Sequence, residues 1–332
     1  MTWRPNRRSV IAAMSCLLAA GPTCPSTAQT ARRARLGYLS GGMNDDNAAN
    51  TIGVLRDGLS QLGWRIDDTL LIDERWANGE FATLPRLATE LLAAKPDILV
   101  ATGATEAKAL QAATQTIPIV FMQVSVDAVS AGLVKRIARP GGNITGFMQG
   151  PQFLWGKRIE LLSDLVGRPP RRLAWLGNPG NVSTADSWTD AREAAAKLGA
   201  ELTRLDVRSA DDIIQAFGGL RDRDALLVQF DFLLSTEKRR IASLAAQRRL
   251  PAVYENRVQV LAGGLISYGG DLRENYRQGA AYVHRILNGA STGDLPVIQA
   301  SRFELVINKG AATALGLAIP ESLLARADEV IE

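Results

Sequence analysis

Cysteine and histidine are nearly missing from this 332-residue chain, which has two cysteines, Cys16 and Cys24, and one histidine, His284. Both cysteines fall within the first 28 residues. The remainder can form no disulfide, holds no thiol nucleophile and offers no thiolate to a metal. A Ser-His-Asp triad would have to use His284, and no G-x-S-x-G elbow accompanies it. His284 sits beside the helical pattern Ala280, Val283, Leu287, where a lone histidine is best read as a structural residue. Sites built from carboxylates alone stay open, but Asn44-Asp45-Asp46-Asn47 lacks the spaced ligands and terminal Glu of a calcium loop. It reads as a solvated turn, and no metal or cofactor is expected. An excess of one charge is lacking too. The 38 basic residues face 34 acidic ones, and beyond residue 28 the balance is 35 to 34 because Arg4, Arg7 and Arg8 precede it. A nearly neutral body gives no electrostatic reason for nucleic-acid binding. With 46% hydrophobic and 22% charged residues the composition is ordinary and globular, which excludes a disordered or collagen-like chain.

What is present begins with an export pattern. Three arginines precede an apolar run from Val10 to Ala20, broken only by Ser15 and followed by Gly21, Pro22 and Pro25. Ser26-Thr27-Ala28 then places small residues before Gln29. This is the order of a secretory signal peptide over residues 1–28, with an uncleaved anchor or a disordered tail as the alternative. The apolar run is about half of a membrane-spanning length. Pro22 and Thr23 argue against lipid attachment at Cys24. A cysteine-free body behind an export signal points to the periplasm.

After Arg35, apolar strands alternate with amphipathic helices. Strands are expected at Leu36–Leu39, Thr69–Ile72, Ile98–Ala101 and Pro118–Phe121, and helices where Ile52, Leu55, Leu59 and Phe81, Leu84, Leu87, Leu91 recur. The order then repeats: Leu173–Leu176, Glu201–Val207, Ala225–Val228 and Pro251–Tyr254 read as strands around helical segments near Ala191–Leu198 and Ile241–Gln247. Leu36 to Gly63 spans 27 residues and Leu173 to Gly199 spans 26. Alternation of this kind means βαβ units and parallel sheets. Two similar α/β lobes are expected, since one open sheet of a dozen strands would split.

Candidate ligand contacts cluster at the carboxyl ends of these strands, where open α/β sheets bind. Gly41-Gly42 follows the first strand without the G-x-G-x-x-G spacing of a dinucleotide site. Thr102-Gly103-Ala104-Thr105 follows a buried strand and opens a helix, so its N–H groups could hold a carboxylate, or simply cap the helix. In the second half Asn178 and Asp231 hold the corresponding positions; Asp231 could receive an ammonium or cap its own helix. Tyr254 and Tyr268 could wall a cleft or simply pack.

Several segments together resemble a family of ABC-transporter periplasmic substrate-binding components that includes tryptophan/tyrosine-type binding proteins. They are Ile117-Pro118-Ile119-Val120-Phe121, the run Ala138-Arg139-Pro140-Gly141-Gly142-Asn143-Ile144-Thr145-Gly146, the run Gly263 to Gly269, and the tail from Phe303 to Glu332. The resemblance implies a two-lobed α/β periplasmic-binding fold of type I-like form, with a ligand cleft between lobes and three chain crossings. Residues 34–147 plus 267–292 would form one lobe and 148–266 plus 293–332 the other. It implies an amino acid or related carboxylate as ligand, an ABC permease and its ATPase as partners, a monomer, and no catalysis. Gly41, Gly42 and Thr102–Thr105 would then take a carboxylate, Asp231 with Asn178 the ammonium, and Tyr254 or Tyr268 the side chain, with Asp127 near the site. Ala128 stands where relatives commonly have proline. The alternatives are an exported α/β hydrolase working through Asp127, Asp231 and Asp271, and a binding protein that signals instead of transporting.

Overall fold

The computed structural model describes residues 33–150, 154–220 and 224–332, and of residues 46 and 47 the backbone only. The expected signal peptide lies outside the described residues. In chain order the first half contains β1 (Ala34–Ser40), α1 (Ile52–Gln61), β2 (Leu70–Trp76), α2 (Leu84–Ala93), β3 (Ile98–Ala101), α3 (Ala104–Ala113), β4 (Ile119–Val124) and β5 (Ile144–Met148). The second half runs through α4 (Trp155–Val166), β6 (Arg172–Gly177), α5 (Thr184–Lys197), β7 (Glu201–Asp206), α6 (Ala210–Gly219), β8 (Ala225–Val228), α7 (Phe232–Thr236), α8 (Lys238–Gln247), β9 (Ala252–Tyr254), α9 (Arg257–Leu261) and β10 (Ile266–Gly270). The chain ends with α10 (Leu272–Leu287), β11 (Ile298–Gln299), β12 (Phe303–Asn308), α11 (Lys309–Ala314), α12 (Glu321–Leu324) and β13 (Glu329–Ile331).

Two sheets result, ordered β11-β5-β4-β3-β1-β2 and β13-β12-β10-β9-β8-β6-β7. Their central strands are apolar on both faces, as parallel strands covered by helices must be. Leu36, Tyr38, Val100 and Val120 pack toward α1 and α10, while Leu39, Leu99, Ala101 and Phe121 pack toward α2 and α3. The second sheet repeats the arrangement, with Leu173 and Trp175 on one face and Leu226 and Val228 on the other. The architecture is therefore two α/β lobes. One pair departs from the parallel expectation: β12 runs antiparallel to β10, because the chain enters it from the other lobe.

The crossings also fall elsewhere than expected. β10 pairs with β9 and β12, so residues 267–270 belong to the second sheet and the return to the first lobe begins only at α10. β11 pairs with β5, which keeps residues 298 and 299 in the first lobe. The three crossing segments pack side by side. Asp271 N donates to Arg302 O at 3.2 Å, and Ala300 N to Met148 O at 2.9 Å. A Cβ on Gly270 would overlap the Gln149 carbonyl, so glycine is required for this approach. Asp271 caps α10 through the N–H groups of Arg273 and Glu274, which turns the chain sharply out of the second sheet.

Candidate functional site

The strand ends of the two lobes face each other across a cleft whose sides touch. Lys238 Nζ lies 2.7 Å from Asp45 Oδ2, and Val182 N donates to Thr105 Oγ1 at 3.5 Å. Phe232 reaches from the second lobe onto Gly41, Gly42 and Gly103 of the first. These contacts define a closed form.

One compartment of the cleft is walled by aromatic rings. Tyr38, Trp76 and Tyr276 come from the first lobe and Phe230 and Phe232 from the second. Tyr38 and Trp76 lie 5.4 Å apart in a tilted pair, and Phe230 and Phe232 meet edge to face at 5.6 Å. Both geometries suit ring quadrupoles. Its polar lining includes Ser40, Thr51, Thr102 and Gln123. Tyr38 OH and Tyr276 OH are 3.4 Å apart, Gln123 Nε2 donates to Tyr276 OH at 3.2 Å, and Gln149 Nε2 donates to Gln123 Oε1 at 3.1 Å. This chain of hydrogen bonds runs from the aromatic compartment to the crossing segment at Gln149. Burial pushes both phenols well above their ordinary range, so each keeps its proton. The unfilled space, mouth included, is about 420 Å³, of which about 30 Å³ admits the centre of a water molecule. A ligand of amino-acid size therefore enters only with the lobes apart.

A second compartment shares Gln123, Phe230 and Phe232 with the first and adds Thr105, Glu106, Asn181 and Ser183. Glu106 is the third residue of α3, and Gly103, the residue before that helix, has no side chain to cap it. The Glu106 carboxylate folds back over this helix start, where the helix dipole and free N–H groups favour an anion. A Cβ on Gly103 would sit 2.7 Å from Glu106 Oε2, and one on Gly41 would overlap Oε1. Glu106 is 1% exposed and its Oε1 accepts no hydrogen bond. Burial pushes its carboxyl up to about 8, with added repulsion from Asp231, and the nearby Glu106, Gly41 and Gly103 N–H groups oppose this only in part, none of them making a well-formed bond to Oε1.

A third compartment adjoins the second at Ser125 and reaches the crossing segments at Gln149, Gly150 and Gly270. Its buried pair is Arg158 and Glu255, with Nη1 3.4 Å from Oε1. Arg158 Nε also donates to Tyr268 O at 2.8 Å, and the guanidinium lies 4.7 Å from the Trp155 ring centre.

The structure brings together part of the expected site and separates the rest. Gly41, Gly42, Thr102, Gly103, Ala104 and Thr105 all reach the cleft. The carboxylate over Gly41 and Gly103 is the protein's own Glu106, however, which corrects the expectation of a ligand carboxylate there. Asp231 is fully buried and already accepts four hydrogen bonds, from Leu233 N, Leu234 N, Asn178 Nδ2 and Asn181 Nδ2. It caps α7, with three of these bonds on Oδ1 and one, from Asn181, on Oδ2, so the carboxylate expected to take an ammonium is already engaged in holding its own helix start. Asp127 accepts from Val129 N and Ser130 N in a turn and is not among the described residues that line these three compartments. Tyr254 points into the core of the second lobe and lines a separate apolar cavity of about 300 Å³ between α8 and α11. The strand alternation that buries Tyr254 turns the next residue, Glu255, to the cleft. Tyr268 stacks on Phe303 at 5.8 Å and packs against the second lobe's core. His284 accepts from Trp64 Nε1 at 3.2 Å on the outer side of the first lobe. Glu106, Tyr38, Trp76, Gln123 and Tyr276 went unnoticed in the sequence. Glu106 alone left a signal there, an acid in the first turn of a helix opening after a buried strand.

Two α/β lobes joined by three adjacent crossings and closed on a polar and aromatic cleft define a binding protein of the periplasmic type I-like fold. The chain belongs to the family of ABC transporter substrate binding proteins, whose model matches residues 43–331. A curated relative, the tyrosine-binding protein of Clostridioides difficile (strain R20291), is 26% identical over 261 residues, covering 78% of this chain and 74% of that one. Among solved structures, a conserved domain protein from Vibrio cholerae superposes with a TM-score of 0.83 at 30% identity, covering 90% of this chain and 100% of that one. The ABC domain in complex with L-Trp from Streptococcus pneumonia superposes with a TM-score of 0.82 at 26% identity and the same coverage.

Proposed function

We propose that this protein is the exported solute-binding component of an ABC importer and that it captures an aromatic amino acid or a close relative by lobe closure. The observation that carries this reading is the compartment walled by Tyr38, Trp76, Tyr276, Phe230 and Phe232, which draws rings from both lobes. A flat aromatic side chain held there touches both lobes in the closed form and one in the open form. That difference in contact is what shifts the population toward closure. The polar group at the base, Tyr38 OH with Tyr276 OH and Gln123, suits a phenol or indole edge that needs one hydrogen bond. A relative named for tyrosine and a structural neighbour holding L-Trp support the same ligand class. The loaded form would act as a monomer in the periplasm, delivering its ligand to a membrane permease driven by an ATPase. The basic, apolar and small-residue order of residues 1–28 supports export.

Thermal unfolding with a panel of amino acids, short peptides and sugars tests the reading. A ligand at about 1,000 times its dissociation constant adds roughly 4 kcal/mol, a shift of several degrees. A rise confined to aromatic ligands, recovered unchanged afterwards, supports it. A rise with sugars alone overturns the ligand class.

A further inference from the structure

We infer that Glu106 is the specificity-determining acceptor for a protonated amine, so the cleft takes aromatic ligands bearing an amino group and rejects the same skeletons carrying a carboxylate alone. The inference rests on the aromatic reading of the cleft given above. Three observations support it. Glu106 is 1% exposed, lines the space between the lobes and has an oxygen, Oε1, with no hydrogen-bond partner. A buried carboxyl oxygen left without a partner is costly, and an ammonium supplies the missing donor together with the charge that lets the group ionise. Second, the start of α3 and the backbone of Gly41 and Gly103, the natural cradle for a ligand anion, already lie under this carboxylate. Third, no Lys, Arg or His lines the aromatic compartment or the Glu106 compartment among the described residues. Among the described residues, the one other acid on their walls is Asp45, which is paired with Lys238.

The groups facing Glu106 from neighbouring elements are Asp231 at the start of α7, and the phenols of Tyr38 on β1 and Tyr276 on α10. Lys108, on the same helix, points toward Gly132. None supplies positive charge. Without ligand the carboxyl, raised to about 8, holds its proton at neutral pH. When the ammonium seats, that proton leaves Glu106 for the solvent, and the ligand's positive charge is matched by the new carboxylate. Binding near neutral pH therefore releases about one proton, and affinity rises with pH until Glu106 is ionised without help.

The test is calorimetric titration of the full chain at about pH 7 in phosphate and in Tris, whose ionisation heats differ. The ligands are L-tryptophan, L-tyrosine, tryptamine, tyramine, and the deaminated acids indolepropionate and hydroxyphenylpropionate, each against wild type and Glu106→Gln. Expected are binding of the four amines, release of about one proton per amine bound, and no heat from the deaminated acids. Glu106→Gln should bind the amines about 100-fold more weakly with no buffer-dependent heat. Deaminated acids that bind as tightly as the amines overturn the assignment while leaving the aromatic reading standing. Aliphatic amines that bind with proton release, where no aromatic ligand does, overturn the aromatic reading and leave Glu106 in its role. No heat from any ligand overturns both. The wild-type series decides the matter alone if Glu106→Gln does not fold.

Discussion

Lys238 Nζ of the second lobe sits 2.7 Å from Asp45 Oδ2 of the first, the one ion pair between described residues that spans the cleft. Both side chains are partly exposed, so the pair is worth a few tenths of a kcal/mol to about 1 kcal/mol. That is too little to hold the lobes shut, yet enough to bias an equilibrium between open and closed. Lys238→Met should raise the open fraction of the ligand-free protein by about twofold to fivefold and speed ligand association to match. Stopped-flow association rates at low salt measure it. Rates that do not move would show that the pair forms only after closure is complete.

Asp231 illustrates a residue whose chemistry is used up by its own fold. Its two oxygens accept from two backbone N–H groups and two asparagine side chains while it is fully buried. Asp231→Ala should cost about 2–4 kcal/mol of folding stability by leaving those donors unpaired, read by urea denaturation. Affinity per folded molecule should stay within about threefold of wild type. A variant of normal stability that has lost its ligand would return Asp231 to the binding site.

Arg158 and Glu255 form a buried pair against the crossing segments, where each also serves the backbone: Arg158 holds Tyr268 O and Glu255 Oε2 accepts from Phe230 N at 3.2 Å. Burial lowers the Arg158 proton affinity and raises that of Glu255, and in each case the partner's opposite charge works against the shift and keeps the group ionised. Arg158→Met alone should destabilise by about 3–5 kcal/mol, because it strands a buried carboxylate. Adding Glu255→Gln should recover a large part of that loss. A double-mutant cycle in denaturant reads the coupling, and additive losses would mean the two side chains act independently.

The fold was legible because apolar periodicity reports it directly. β3 and β8 occupy the very residues expected, Ile98–Ala101 and Ala225–Val228, since a short apolar run between turns has one stable home in such a sheet. The crossings were less legible. Whether Tyr268 stays in the second sheet or leaves it depends on the partner of β10, and the partner, β12, lies more than thirty residues downstream. The site was half legible for a similar reason. Gly41 and Thr102 advertise strand ends, but only tertiary placement shows that Glu106 occupies the cradle they form. Tyr38 was hidden by its setting, a strand residue whose ring joins the core while its hydroxyl faces the cleft.

Glu106 also predicts how the empty protein responds to pH. Its carboxyl sits near the ordinary value of 4.5 when unfolded and near 8 in the folded, closed chain. The folded state therefore binds the extra proton between those limits, and linkage makes stability fall as pH rises through that window. The loss is fully expressed only above the folded value, and lobe opening, which rehydrates the carboxylate, limits it to a few kcal/mol. Melting of the ligand-free chain should thus drop by several degrees between about pH 5 and pH 8.5. Glu106→Gln, which has no charge to bury, should show a smaller drop and exceed wild type at the alkaline end. Parallel melting curves for the two proteins across that range would mean that Glu106 is hydrated without ligand and that the lobes stand apart in solution.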